Sequence, residues 1–394
     1  MHKRLHVLII PSWYPKFEGD YEGSFFREQA LALIKNNCKV GVLFPELKSL
    51  RGLETIRIIP KFNLFNDNGI LTYVFKWSNW FIKNKFLQIK VFKFLGNILF
   101  KKYIFQNGIP DLIHCQSIFN AGFLGENLFE KYNIPFVITE HNSGFKYKKQ
   151  GFQKYYDSVI RITNKAEKCF TVSSSYSEFL KEELSNNLEW EVHNNIVSDL
   201  FLNTDLKKPD SKNFIFLTIN RLHRIKNISL LIESFFLFTE KFPNSELRII
   251  GIGNELKSLK LLSKSFGIEK KVKFLGRIDR SRIPKEMNDS HIYVHSSIYE
   301  TFGVVFVEAL AMGKPIITTN CKGPNDIVND DVGIILKNNN SDELSNAMLT
   351  VYENYKFYDP LRLREYCKNK FSEIILTKKL IKHYREILSK KFKS

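Results

Sequence analysis

Short apolar strands alternate with helices along this chain, in two series separated by a turn-rich stretch, and this alternation limits the fold more than any other feature. In the first series Leu5–Ile10 reads as a strand, and residues 11–23 as a loop holding Gly19 and Gly23. Ser24–Asn36 reads as a helix and Lys39–Phe44 as the next strand, with further strands expected at Asp111–Gln116, Pro135–Glu140 and Cys169–Ser173. Asn194–Asn213 contains Pro209 and several Asn, Asp and Lys residues, the composition of a hinge. Beyond it, strands are expected at Phe214–Ile219, Leu247–Ile250, Val272–Leu275, Ile292–His295 and Pro315–Thr319. Helices at Ile228–Lys241, Asn254–Phe266 and Gly303–Met312 fall between them. Apolar strands joined by helical crossovers argue for parallel sheets with right-handed connections. The expected class is therefore α/β: two Rossmann-like domains, 1–197 and 198–372, facing a central cleft. Glu373–Lys390 reads as a last helix, with either domain open to it as a packing partner.

A chain of 394 residues suits two domains with cores of their own. Its charge is unusual: 59 Lys and Arg stand against 41 acidic residues, a formal +18. That balance points to an anionic partner, whether nucleic acid, an acidic membrane surface or a phosphorylated substrate. Lys-rich usage, alongside abundant Asn, Ile and Phe, explains it equally well. No helix-turn-helix, zinc or RNP-like pattern supports a nucleic-acid partner. Cys38, Cys115, Cys169, Cys321 and Cys367 are scattered, without metal-ligand or redox spacing. Buried free thiols in a reducing cytosol are the expectation. Leu5–Ile10 is too short for a signal sequence, and no run of 18 uncharged apolar residues predicts a spanning helix.

The chemistry concentrates in the second series. Ser296 to Ile317 carries Glu300 and Glu308 with Phe302-Gly303 between them, then an apolar helical run and Gly313-Lys314-Pro315. Glu300 falls on a loop and Glu308 inside a helix that begins just after Gly303. A helix N-terminus at Phe302–Val305, with Phe302, Gly303 and Val304 at its start, supplies free N–H groups for a phosphate, while the two carboxylates suit hydroxyls. Upstream, Asn220-Arg221-Leu222-His223-Arg224-Ile225-Lys226 ends a strand, where open α/β sheets bind ligands. The fork of Arg221 and the point charge of Lys226 together suit a diphosphate; a solvated basic loop is the plain alternative. Gly251-Ile252-Gly253 lacks the third glycine of a dinucleotide fingerprint and reads as a turn that either touches the ligand or does not. At Phe274–Ile278 a backbone edge can read a base, or simply turn a strand into a loop.

In the first series Gly23 allows close backbone approach to a charged group. His141, in Thr139-Glu140-His141-Asn142, ends a strand and is equally open to a structural or a cleft role. Ile70–Tyr103 holds Lys76, Lys83, Lys85, Lys90, Lys93, Lys101 and Lys102 without an acidic residue, interleaved with Trp77, Trp80 and several Phe. Lys76, Lys83 and Lys90 repeat every seven residues and are expected to share one helical face, as in an interfacial amphipathic helix. Ordinary helices with solvated lysines are the alternative.

Taken together and in this order, the Arg221/Lys226 motif, Gly251-Ile252-Gly253, Phe274–Ile278, the glutamate motif, Gly313-Lys314-Pro315 and Gly323-Pro324-Asn325-Asp326 resemble the family-four retaining glycosyltransferases of the GT-B fold. The resemblance covers most of the chain and is strongest from Asn194 to Leu336. It implies retaining transfer of a sugar from a nucleotide diphosphate sugar, with UDP favoured as the commonest base; the basic-aromatic stretch Ile70–Tyr103 adds the expectation of a lipid-linked or polysaccharide acceptor, as in lipopolysaccharide or capsule synthesis. A cytoplasmic enzyme is expected from the scattered thiols, and a peripheral place on the inner face of the membrane from the same basic-aromatic stretch. The resemblance further implies that Arg221 and Lys226 hold the diphosphate and Glu300 the donor sugar, with the Phe302 and Gly303 backbones near it. By the same token Glu308 binds the ribose, Ile278 meets the base through its backbone, and His141 sits beside the anomeric centre. Gly23 then lies under the phosphates, and residues 373–394 cross back onto the first domain. No Asp-x-Asp occurs, in keeping with a leaving group stabilised by cationic side chains and a helix end, with no metal or other cofactor. Asn220 and Lys322 stand where the family usually has glycine. A nucleotide-sugar epimerase or a sugar phosphorylase on the same scaffold is the competing reading.

Overall fold

The computed structural model describes residues 4–15, 20, 23–49, 60–79, 84–146, 153–184, 188–210 and 212–391. The chain forms two compact units. One comprises Met1–Val172, Tyr176–Asn194 and Ile374–Ser394; the other comprises Ser173–Ser175 and Asn195–Glu373.

The first unit runs β1 (His6–Pro11), α1 (Ser24–Lys35), β2 (Lys39–Ser49), β3 (Lys61–Asp67), β4 (Ile70–Asn79), α2 (Lys85–Asn107) and β5 (Leu112–Gln116). It continues through α3 (Phe123–Tyr132), β6 (Phe136–Glu140), α4 (Tyr156–Lys165), β7 (Lys168–Thr171), α5 (Ser174–Leu184) and β8 (Trp190–Val192). The strands form an 8-stranded sheet in the order β3-β4-β2-β1-β5-β6-β7-β8. All pairings are parallel except β3 with β4. Helices cover both faces of the central strands, so β1, β5 and β6 are buried at every position and carry no polar-out alternation. A polar group buried this way needs a partner. His114, inside β5, meets the Tyr384 hydroxyl at 2.6 Å and Thr139 Oγ1 at 2.7 Å.

The second unit holds α6 (Asp199–Leu202), β9 (Phe214–Ile219), α7 (Ile228–Lys241), β10 (Ser245–Ile250), α8 (Leu256–Ser265), β11 (Val272–Gly276), α9 (Ile283–Asn288) and β12 (Ile292–His295). It continues with α10 (Val304–Ala311), β13 (Ile316–Thr318), β14 (Gly333–Ile335), α11 (Ser341–Glu353) and α12 (Pro360–Phe371). Its 6-stranded sheet, β11-β10-β9-β12-β13-β14, is parallel throughout. The order reverses between β9 and β12, which makes the crevice beyond their carboxyl ends the natural ligand site. The last helix, α13 (Glu373–Lys391), groups with the first unit from Ile374 on. Leu380, Ile381, Tyr384 and Ile387 of α13 join the core built on Val7, Ile9, Leu33 and Val42.

Ile70–Tyr103 corrects the sequence reading. Residues 70–79 are a strand, so Lys76 does not share a helical face with Lys90. Lys76 lies on β4 opposite Glu46 of β2 and pairs with it at 3.8 Å. Trp77, next on the strand, lies tilted against Phe75 with ring centroids 6.2 Å apart, whereas Lys90 is on α2. Trp80 and Lys83 lie outside the described residues. The physical reason is local. Thr72-Tyr73-Val74-Phe75 is β-branched and aromatic, and Asn68-Gly69 upstream of it has φ of 51° and 93°. That pair is the two-residue turn of a tight hairpin, and it sets β3 antiparallel to β4.

Candidate functional site

At the strand-order reversal of the second sheet, two loops are stitched together. The loop after β9 carries Arg221, exposed, and then the short 3-10 turn Arg224–Lys226. The loop after β12 carries Ser296 to Gly303. Ile298 N–H donates to Ile225 O at 2.8 Å, and Ser296 Oγ donates to Lys226 O at 3.0 Å. The result brings Lys226 Nζ onto Glu300 Oε1, to which it donates.

Glu300 has further partners. His295 Nε2 lies 3.0 Å from Oε1, and Ser297 Oγ donates to the same oxygen at 3.4 Å. A carboxylate only accepts, so His295 carries its proton on Nε2 and its Nδ1 accepts. Tyr293 OH, 2.9 Å from that Nδ1, is then the donor. Burial holds His295 below its usual value, so the ring is neutral near pH 7, although the Glu300 hydrogen bond works against this. Burial also pushes the Tyr293 hydroxyl well up, which keeps it protonated. For Glu300, burial opposes ionisation, but the Lys226 ammonium and the His295 hydrogen bond outweigh it and bring the carboxyl down to about 2. The backbone of Glu300 is fixed too: its N–H donates to Cys321 O at 2.9 Å, and its carbonyl accepts from Gly323 N–H at 3.1 Å.

Two residues on, buried Phe302 leads into Gly303, with φ of 84°, and then α10. A Cβ on Gly303 would lie 2.4 Å from the Phe306 ring, so only glycine makes this entry. No side chain caps α10, and although Phe306 N–H donates to Gly303 O at 3.0 Å, the helix start at Val304 presents its N–H end to an anion. Glu308, buried on α10, pairs with Arg280 at 2.8 Å, and the Arg280 guanidinium stands 5.4 Å from the Phe201 ring centre. Ile278, half-buried, occupies the loop after β11, just before the turn Arg280–Arg282.

The first sheet gathers a second group, within its own unit. Gly23, with φ of 76°, precedes α1, whose Phe25 and Phe26 flank the His141 ring at 5.1 and 4.9 Å between centroids. His141 Nε2 donates to Gln116 Oε1 at 2.7 Å, and the Gln116 amide donates to Gln29 Oε1 at 2.5 Å. Burial brings His141 down to about 3, so it is a neutral imidazole. Its neighbour Glu140 is wholly buried and accepts from the N–H groups of Ile118, His141 and Asn142 at 2.7–2.8 Å. Burial raises the Glu140 carboxyl even so.

Two family models match this chain. Residues 23–188 match glycosyltransferase family 4, and residues 203–370 match glycosyl transferases group 1. The chain is a GT-B glycosyltransferase of family 4, group 1. An uncharacterized glycosyltransferase of Methanocaldococcus jannaschii is 26% identical over 369 residues, covering 86% of this chain and 85% of that one. In fold, the glycosyltransferase is similar to a sucrose-phosphate synthase from Thermosynechococcus elongatus. The match has a TM-score of 0.79 at 18% identity and covers 98% of this chain and 99% of the other. Anabaena HepE in a complex with UDP gives a TM-score of 0.71 at 19% identity, covering 97% and 100% of the two chains.

Of the residues singled out from this glycosyltransferase's sequence, Lys226, Glu300, Phe302, Gly303, Val304 and Glu308 come from two adjoining strand ends and the helix after the second. Gly253 has a structural duty. Its Cβ would sit 2.0 Å from Leu222 O, because the turn after β10 packs backbone to backbone on the Arg221 loop. Asn220 folds back on the sheet, its amide donating to Thr218 Oγ1 at 2.9 Å, and needs no glycine-like backbone. Lys322 does take one, at φ 76°, ψ −57°, closed by Gly323 N–H donating to Cys321 O at 3.1 Å. His295, Tyr293, Arg280, Glu140 and Gln116 escaped the sequence reading. His295 ends a strand just before the Glu300 loop, a signal that was present; Arg280 reaches Glu308 from a distant loop and left none.

Proposed function

We propose that this glycosyltransferase moves a hexose, with retention of configuration, from a nucleotide diphosphate sugar, UDP-linked, to a lipid-linked or polysaccharide acceptor in bacterial surface-glycan synthesis. It works at the inner face of the cytoplasmic membrane. The observation that carries this reading is the Lys226–Glu300–His295 arrangement beside the uncapped start of α10. It offers a cation and free N–H groups for a diphosphate and an ionised carboxylate for sugar hydroxyls. UDP in the Anabaena HepE complex supports the choice of base.

In this reading the incoming diphosphate takes Lys226 over from Glu300 and adds Arg221 and the α10 N-terminus. Glu300 then accepts from the donor sugar, still oriented by His295. Glu308, held by Arg280, accepts from the ribose, and the backbone at Ile278 meets the base. Charge grows on the departing phosphate in the transition state, where fixed donors act most strongly. Those donors take the part a metal plays elsewhere, so transfer proceeds without metal. The roles of His141, a neutral imidazole held by Gln116 within the first unit, and of Gly23 at the start of α1 rest on the family resemblance alone.

The test is a panel of UDP-, GDP- and ADP-sugars in EDTA, with released nucleotide followed with and without a crude bacterial lipid extract. Release from one UDP-sugar, raised by the extract, supports the reading. Release that requires a divalent metal, or that the extract leaves unchanged while a soluble sugar phosphate raises it, overturns it.

A further inference from the structure

Helix α2 is apolar on two faces. Ile89, Phe92, Leu95, Leu99, Phe100 and Tyr103 are buried in the first unit. On the other side Leu87, Phe94, Ile98 and Phe105 recur at spacings of seven, four and seven, which is one face of a 3.6-residue helix. Phe94 is 63% exposed and Phe105 91%, with Phe86 at 51% nearby. Single exposed apolar residues need no explanation, but two exposed phenylalanines aligned with half-buried Leu87 and Ile98 on one face of a long helix do. Exposed Lys90 and Lys101 run along this row on one flank and exposed Lys102 on the other. Lys90 Nζ lies 4.3 Å from the Phe86 ring centre. The helix contains no acidic residue.

We propose that this outward face of α2 is a docking surface for an anionic lipid bilayer, with Phe94 and Phe105 entering the headgroup–acyl boundary and the lysines meeting lipid phosphates. The pattern is that of a helix lying in the interface plane. No helix among the described residues is long and apolar enough to cross a membrane, so α2 lies on the surface. Charge argues against the obvious rival, a second copy of the chain, because two such faces would press lysine against lysine on a protein of net charge +18. The face differs from the Lys76/Lys83/Lys90 row expected from spacing, since Lys76 belongs to a strand and pairs with Glu46. The inference rests on the membrane-surface part of the proposed function and needs neither the donor nor the acceptor to be known.

Sedimentation with sucrose-loaded vesicles tests it. The full chain is mixed with vesicles of equal parts phosphatidylcholine and phosphatidylglycerol, or of phosphatidylcholine alone, and nucleotide release from the donor is read separately in vesicle-free buffer. Binding should favour the anionic vesicles and weaken with salt, since each lysine near such a surface adds roughly fivefold to partitioning. The double variant Phe94→Ser/Phe105→Ser should bind at least about tenfold more weakly, and Lys101→Glu about fivefold or more. Both should keep the vesicle-free donor turnover of the parent. Three outcomes overturn the proposal: a parent protein that stays in the supernatant, a double variant that binds like the parent, or a dimer by light scattering that the double variant converts to monomer. Donor turnover without vesicle binding would sink the docking surface alone. Vesicle binding without donor turnover would leave it standing and sink the catalytic reading.

Discussion

Lys226 Nζ donates to the Glu300 carboxylate, joining the loop after β9 to the loop after β12 across the point where the strand order of the second sheet reverses. Without ligand, the cation and the anion of the candidate site therefore neutralise each other. Any diphosphate must compete for Lys226, and Glu300 keeps its orientation through His295.

Lys226→Ala and Glu300→Ala should each lower transfer about 100- to 1000-fold, the loss of one charge-assisted contact made in the transition state, about 2.7–4 kcal/mol. The circular dichroism spectrum should be unchanged. Initial rates with a single donor check this, and near-parental rates in both variants would contradict the assignment.

In the proposed reaction His295 is a positioning residue, acting on substrate only through Glu300. His295→Phe removes the hydrogen bond to Glu300 and leaves Tyr293 OH without its acceptor, each of which costs about 1–3 kcal/mol when buried. His295→Gln keeps a donor and should recover part of the rate. A purely structural role would lower Tm without this rescue, so kcat and Tm are measured on both variants.

The pH dependence of stability follows from Glu300. Its folded value of about 2 lies below the ordinary 4.5. The stabilising contribution is therefore complete above about pH 4.5 and is lost as pH falls toward 2. The Tm gap between the parent and Glu300→Gln should be widest near neutral pH and narrow progressively from pH 5 to pH 3. A gap that is constant over that range would show that the carboxyl is not held ionised.

Two backbone predictions have opposite signs. Lys322 adopts the φ-positive γ-turn, which is strained for a side-chain-bearing residue. Lys322→Gly should therefore raise stability by about 1 kcal/mol or less. Gly253→Ala should lower it by about 1–3 kcal/mol, because the new methyl meets Leu222 O. Chemical denaturation of both variants measures the two changes.

Elements with simple local causes were legible in the sequence. Phe214–Ile219, Ile228–Lys241 and Ile292–His295 have the bounds their apolar runs indicate. Glu300, Gly303 and Glu308 were legible as a group because a loop, a glycine and a helix start within a few residues fix them together. The hairpin of β3 and β4 was missed although Asn68-Gly69 announces it, because the seven-residue lysine spacing suggested a helix where Tyr73, Val74 and Phe75 favour a strand. Arg280 and the Tyr293–His295 link depend on tertiary packing between loops, and no local pattern encodes them. The second apolar face of α2 was hidden for a related reason. Phe and Leu all round the helix give no one-sided periodicity, and only the burial of Phe92, Leu95 and Leu99 shows which side is left for Phe94 and Phe105.

The most direct test of the central claim is calorimetric titration of UDP into the parent and into Lys226→Ala, in EDTA and at two salt concentrations. The account predicts metal-free binding by the parent, weakened by salt, and at least about tenfold weaker binding by the variant, the effect of losing one charged hydrogen bond. Equal affinity in the two proteins, or binding by the parent only when a divalent metal is added, would contradict it.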